Sequence, residues 1–244
     1  MFTEEINELF SYDVRKVDKY FKRLEVKSMD IINYPAIIRL DGVNFSKYLS
    51  NFNSPRDIRV HKALIYGAEK LIRTFNAICG YITSDEVNIL LSRYIPYSSR
   101  HEKIISISSG ILSSAVSIKL GIPLYFDARI IEITNINDIK AYFLYRMKIG
   151  FNNYISKVYH NIFPSSKTPD LKYMLHKLAS KNINLSSIPT WEYLGSCLVW
   201  EEYIKNGYNP ITKRSVKSKR RKLVVYDGRY CIKYFGIFSK FLCT

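Results

Sequence analysis

"AICGYITSDEVNILLSR", residues 77–93, decides how this chain is read. Two runs rich in β-branched and apolar residues, 77–83 and 87–92, flank the polar insert Ser84-Asp85-Glu86. Such a pattern predicts a β-hairpin with a tight acidic tip. Upstream, "AIIRLDGVNF" (36–45) reads as a buried strand, 36–41, that ends on Asp41-Gly42. Between the two, "SPRD" (54–57) marks a helix start, with Ser54 as cap and Pro55 at the first helical position. Behind it Val60, Leu64, Ala68, Leu71, Ile72 and Phe75 recur at helical spacing on one face.

Downstream of the hairpin a second helix is predicted over 100–120, with Ile104, Ile107, Ile111, Ala115 and Ile118 on its buried face. A strand follows over 124–133, then a long helix over 137–159. The order βαββαβ is that of a ferredoxin-like α+β fold with an antiparallel sheet. In that fold the end of the first strand and the hairpin tip share one rim, which sets Asp41 beside Asp85.

The 244 residues suffice for a sizeable core, with 47% apolar residues. Residues 1–28 carry helix-like spacing, and helices are predicted at 169–182 and 190–206. The chain is accordingly divided into a ferredoxin-like domain with an N-terminal helix (1–160) and a helical, basic C-terminal extension packed on it (161–244). "KRSVKSKRRK" (213–222) carries seven basic residues and no acid. The formal charge of +16 favours a polyanionic partner, and 20 Tyr and 13 Phe interleaved with cations suit nucleic acid. Four Cys without CxxC spacing indicate neither zinc nor a disulfide framework, which fits the cytoplasm. "MFTEEINELF" is acidic and amphipathic, unlike a signal peptide, and 104–118 is too short and too polar to cross a membrane. No membrane partner is expected.

Two carboxylates at adjacent strand ends suit a pair of Mg²⁺ ions, which take hard oxygen ligands and phosphate oxygens. Two such ions clamp the attacking and leaving oxygens of a displacement at phosphorus. Gly42 would add its carbonyl, and the backbone N–H groups of Val43, Asn44 and Phe45 would cradle phosphates. Arg39 lies two residues before Asp41 on the same strand face. Arg100 and Lys103, at the start of the second helix, would grip a triphosphate. His61 and His101 are read as surface or helix-capping groups.

"RLDGVNF", "TSDEVNILL", "RHEKI", "FDARII" and "YFLYRMKIGFNNYI" together resemble the histidine-tRNA guanylyltransferase family and its tRNA-guanylyltransferase-like relatives, which are 3′-to-5′ polymerases. The resemblance covers about residues 33–160 well and 191–212 more loosely. It implies a polymerase-like palm with two Mg²⁺ ions on Asp41, Asp85 and Gly42, and an additional acid at Glu86. It places Ser84, Arg100 and Lys103 at nucleotide phosphates. It implies ATP-dependent adenylylation of a tRNA 5′-monophosphate, attack by the 3′-hydroxyl of GTP, and a homotetramer.

Arg146 and Asn153 keep the family pattern on the long helix. With Lys219, Arg220, Arg221 and Lys222 they are assigned to tRNA. Tyr145, Met147 and Ile149 depart from the residues common there, Ser99 stands for a second Arg, and Val43 stands for the frequent Arg after Asp-Gly. These departures spare the metal ligands, so catalysis is retained, with histidine-tRNA guanylylation and 5′-end repair of truncated tRNA both open. A non-catalytic ferredoxin-like RNA-binding module is the alternative, and another palm enzyme such as a nucleotide cyclase is a third.

Overall fold

Strand β1, Ala36–Gly42, buries Ala36, Ile37, Ile38 and Leu40 completely, so apolar side chains leave it on both faces. A strand of that kind belongs in the middle of a covered sheet, and β1 is paired on both sides. The computed structural model describes residues 31–133, 135, 138–164 and 167–238. The helix expected over 1–28 lies outside the described residues. The chain divides after Asp30, and the described residues all fall in the unit Ile31–Thr244.

After β1 come a one-turn helix α1, Phe45–Tyr48, and α2, Ile58–Thr74. The hairpin follows as β2, Cys79–Thr83, and β3, Glu86–Leu90, then α3, His101–Leu120, β4, Phe126–Glu132, and α4, Asp138–Ile162. Next are α5, Leu171–Ala179, the short α6, Thr190–Leu194, then β5, Ser196–Asn209, β6, Arg214–Asp227, and α7, Arg229–Phe238. The sheet runs β4-β1-β3-β2-β5-β6, with antiparallel pairing throughout. Its first four strands have the predicted βαββαβ order.

Two apolar layers cover the sheet. Ile38 and Leu40 enter one cluster with Leu64, Leu71 and Ile72 of α2 and Ile104 and Leu112 of α3. Ile37 enters the other with Phe143 and Met147 of α4 and Phe235 of α7. Arg39 and Asp41 share the parity of Ile37, so they face the α4 layer.

Three sequence expectations change. The cap of α2 is Asp57, whose carboxylate accepts from the Arg59 N–H, while Ser54 and Pro55 lie in the turn before it. On α3 the buried stripe is Ile104, Ser108, Leu112, Ala115 and Val116, and Ile118 is 79% exposed. This helix is long and apolar enough to cross a membrane by length and composition, and its buried stripe packs on α2 and the sheet. The helix expected over 190–206 stops at Leu194, because Gly195 leaves helical geometry at φ 71. Residues 196–209, with the apolar run Cys197–Trp200, then pair as a strand, against β2 at Ser196–Val199 and against β6 along its length. The extension after residue 160 is therefore only partly helical, and its hairpin continues the palm sheet. The basic run lies on β6 as part of a two-stranded ribbon.

Candidate active site

The register sets Asp127 of β4, Asp41 of β1, Glu86 of β3 and Thr83 of β2 in one row across the sheet. Cross-strand partners point to the same face, so three carboxylates are juxtaposed there. The preceding row holds Arg129, Arg39, Asn88 and Tyr81. Arg39 bridges the two rows, donating from Nη2 to Asp41 at 2.7 Å and from Nε to Glu86 at 2.9 Å.

Glu86 is the most enclosed of the acids, 3% exposed. It accepts from Arg39, from Asn88 Nδ2 at 2.8 Å and from both the Nε and Nη2 of Arg146, with Nε at 2.8 Å. All its strong acceptor positions are thereby used. It organises Arg39 and Arg146 and presents no open oxygen to a ligand. Arg146 is itself 8% exposed. Its placement among tRNA contacts is thus corrected: helix burial and the Glu86 carboxylate consume the guanidinium.

Asp41 keeps a third of its side-chain surface. Burial raises its pKa, and the neighbouring Asp85 and Glu86 carboxylates add to that against the opposing Arg39. Asp85 sits at the hairpin tip beside Ser84, which adopts φ 59 and donates to Asp85 Oδ1 at 2.7 Å. A left-handed serine in so tight a turn is strained, and it fixes where Asp85 stands. Gly42 has no room for a Cβ, which would collide with the Phe45 ring. Phe45 is buried against Phe126, ring centroids 4.9 Å apart.

The sequence grouped residues that the fold treats differently. The Val43 N–H donates to the Tyr125 carbonyl at 2.9 Å, so Val43 is removed from the expected phosphate cradle. Asn44 starts α1 in the left-handed region, at φ 55. Arg100 bridges to Ile31 at the far end of the palm, and Lys103 lies nearby on the first turn of α3. The other part of α3 touches the acid end: Ser113 Oγ accepts from the Phe126 N–H, and Phe126 pairs with Gly42. Ten residues of helix separate Ser113 from Lys103, about 15 Å. One chain therefore does not bring Arg100 and Lys103 to Asp41. Asn153 is exposed on α4, and Lys219, Arg220, Arg221 and Lys222 are exposed on β6.

Against the hairpin tip opens a cavity of about 440 Å³, lined by residues that include Phe45, Arg56, His61, Ser84, Asp85, Lys157 and Trp191. Sequence reasoning missed Arg56, Lys157 and Trp191. Burial lowers the pKa of Arg56, opposed by Asp85, Tyr154 and Glu192, and its Nε is buried without an acceptor. Burial likewise lowers Lys157, with Arg56 adding to that and Asp85 opposing. A desolvated guanidinium with an unbonded Nε, the more exposed Lys157 ammonium and the Asp85 carboxylate together form a site that an anion would complete. Lys157 lies eleven residues from Arg146, three helical turns on the same face of α4, a spacing the sequence displayed.

His61 forms part of this wall and is buried, contrary to the surface or capping role expected of it. Its Nε2 is 2.8 Å from Ser196 Oγ, which donates to Asp227, and its ring stacks on Trp191 at 4.6 Å. Burial, and next Arg56, lower its pKa to about 4. The imidazole is therefore neutral at neutral pH and ties α2 to α6, β5 and β6. Asp127 was also unassigned. Its Oδ2 accepts from Arg129 at 2.8 Å, and its buried Oδ1 has no partner.

Comparison with known proteins adds an independent line. Residues 18–134 match the family model described as Thg1, tRNAHis guanylyltransferase. An uncharacterized protein of Acanthamoeba polyphaga mimivirus is 27% identical over 252 aligned positions, covering 84% of this chain and 85% of that protein. The tRNA(His) guanylyltransferase of Debaryomyces hansenii is 28% identical over 160, or 59% of each. A bacterial tRNA(His) guanylyltransferase (Thg1)-like protein solved with ATP superposes with a TM-score of 0.75 at 23% identity, over 93% of this chain and 97% of that one. The same kind of protein solved with GTP gives 0.72 at 22% identity, over 94% and 98%. The resemblance carried by the sequence motifs is thereby shown: residues 18–134 match the tRNAHis guanylyltransferase (Thg1) family model, and the fold is similar to that of Thg1-like proteins over nearly the whole length of the chain.

Proposed function

We propose that this chain is a nucleotidyltransferase that adds a GTP-derived nucleotide to the 5′ end of tRNA, after ATP-dependent adenylylation of the 5′-monophosphate. The observation that carries the reading is the meeting of Asp41 and Asp85 beside a cavity lined by two cations, Lys157 and Arg56, the latter with its Nε unbonded. The ATP and GTP complexes of similar folds support nucleotides as its ligands.

The residues fit Mg²⁺. Hard carboxylate oxygens are concentrated on Asp41 and Asp85, the Gly42 carbonyl adjoins them, and burial, with the neighbouring carboxylates second, disfavours the charged Asp41, a cost that a bound cation would relieve. Among the described residues no group of three or more His, Cys, Asp and Glu is placed to hold a metal ion by itself, so substrate phosphates would have to complete the shell of an ion bound there. Bound there, the ions would neutralise charge on the reacting phosphates. Arg39 holds Asp41 in place and Glu86 holds Arg39. Arg56 and Lys157 draw in the triphosphate. In the first step an oxygen of the RNA 5′-phosphate attacks the α-phosphorus of ATP and pyrophosphate leaves. In the second the 3′-hydroxyl of GTP attacks the activated 5′-phosphorus and AMP leaves.

The ribbon of β5 and β6, with Lys219, Arg220, Arg221 and Lys222, belongs to the tRNA-binding part of this reading. A homotetramer in the cytoplasm belongs to it as well, and a neighbouring copy is the source from which Arg100 and Lys103 would reach a triphosphate. The test is transfer of label from α-labelled GTP, with Mg²⁺, to 5′-monophosphorylated tRNA, full-length or lacking its first nucleotide, with and without ATP. ATP-dependent transfer supports the reading. No transfer to any tRNA refutes it.

A further inference from the structure

The outer face of α2 carries a second basic surface, on the layer away from the acids. Arg59, Lys62, Lys70 and Arg73 all point outward there, and Lys119 of α3 joins them. Their cationic heads are held over aromatic rings at regular steps. Arg59 lies 4.7 Å from the Phe52 ring, Lys119 and Lys70 lie 4.4 and 5.1 Å from Tyr66, and Arg73 and Arg221 each lie 5.4 Å from Trp200. Positions 59, 66 and 73 are seven residues apart, so the steps are about 10 Å and the row is about 21 Å long. Trp200, fixed by its Nε1 donating to the Ala77 carbonyl at 3.0 Å, joins this row to the basic ribbon.

Arg59 is paired with Asp57, and Arg73 with Glu69. Lys62, Lys70, Lys119 and Arg221 have no carboxylate partner among the described residues. Between α2 and α3 the surface sinks into a depression of about 400 Å³, lined by Arg59, Lys62 and Lys119 with apolar and aromatic neighbours and no acid. Unneutralised cations at this density repel one another and favour a polyanion.

We propose that this row is a docking track for the phosphodiester backbone of an RNA that extends from the acid rim around to the α2 face. The proposal rests on the RNA-substrate reading above. A single phosphate group cannot engage a row about 21 Å long, so an occupant that uses all of it is an extended polyanion. The ribbon, with seven cations and no acid over 213–222, continues the same surface. Aromatic rings beneath the cations limit their freedom, which lowers the ordering cost of each phosphate contact.

The test uses the full chain and a variant with Lys62→Ala, Lys70→Ala and Lys119→Ala, all surface positions. Binding of 3′-labelled tRNA is followed by anisotropy across a salt series. Each lost phosphate contact removes about 0.7–0.9 from the slope of log affinity against log salt, so three remove about 2 to 3 and weaken binding about 100-fold or more near 0.1 M salt. An unchanged slope and affinity overturn the track while leaving the enzyme reading intact. A wild-type protein that binds no tRNA overturns both. A variant that keeps tRNA but loses binding to anionic vesicles reassigns the surface to a membrane and overturns the RNA assignment.

Discussion

Arg146→Met is the sharpest test of how the acid rim is built. The wild-type guanidinium is one of three donors to Glu86, whose side chain is 4% exposed. Removing it leaves Glu86 buried and bonded only to Arg39 and Asn88. Breaking a buried ion pair from one side costs about 3–5 kcal/mol. Because Arg39 remains, the lower end, about 3 kcal/mol, is expected. Glu86→Gln removes the charge with little change of shape and leaves two guanidinium groups facing a neutral amide, with a comparable loss. Since both variants delete the same pairing, the double variant should cost less than their sum, by about 1–3 kcal/mol. Urea unfolding monitored by tryptophan fluorescence gives all four stabilities. A loss under about 1 kcal/mol for Arg146→Met, or strict additivity, would refute the network. Arg146→Met should also bind tRNA with wild-type salt dependence wherever it is folded, because its guanidinium is not on the surface.

Two further outcomes follow from the cavity wall. His61 has a pKa near 4 in the fold against 6.5 when unfolded, so the neutral form is favoured by folding. Its stabilising effect is complete above pH 6.5 and is lost as pH falls from there toward 4, amounting to about 2 kcal/mol at pH 5. His61→Gln, which can still donate to Ser196 but cannot titrate, should lack this share of the acid destabilisation, and equal pH slopes in the two proteins would contradict the assignment. Arg56→Met should leave thermal stability equal or higher, since it removes a desolvated cation with an unbonded Nε. It should weaken nucleotide binding by about 10–100-fold, the worth of one or two charge-assisted hydrogen bonds. Wild-type nucleotide affinity in this variant, read by calorimetry, would remove Arg56 from the site.

Local signals carried the palm. The apolar runs of 36–41 and 77–92, helical periodicity in α2 and α3, and the polar insert Ser84-Asp85-Glu86 are all written in neighbouring residues, although Glu86 proves to be the first residue of β3 and not part of the tip. The resulting order fixes a register, and the register alone places Asp41 opposite Glu86 and Asp127. The cavity was not legible in this way, because Arg56 with His61, Lys157 and Trp191 come from three separate segments that only the tertiary fold brings together. Arg146 was misread for a related reason: an arginine on a helix looks solvent-facing until a buried carboxylate is found across from it. Arg100 and Lys103 look close to the acids in motif order, but α3 runs the wrong way for one chain to bring them there. The strand β5 was mistaken for helix because "WEYL" does begin as one. What turns it into strand is Gly195 and long-range pairing with β2 and β6.

The central claim is that Asp41 and Asp85 act together on phosphate chemistry while other surfaces hold the RNA. Asp41→Asn and Asp85→Asn, assayed side by side for ATP-dependent transfer of labelled GTP to tRNA and for tRNA binding, test it most directly. The account predicts that each variant loses transfer by at least about 100-fold and keeps tRNA affinity within about threefold, since each removes a charge at the rim and no phosphate-binding cation. Full transfer activity in either variant would contradict it.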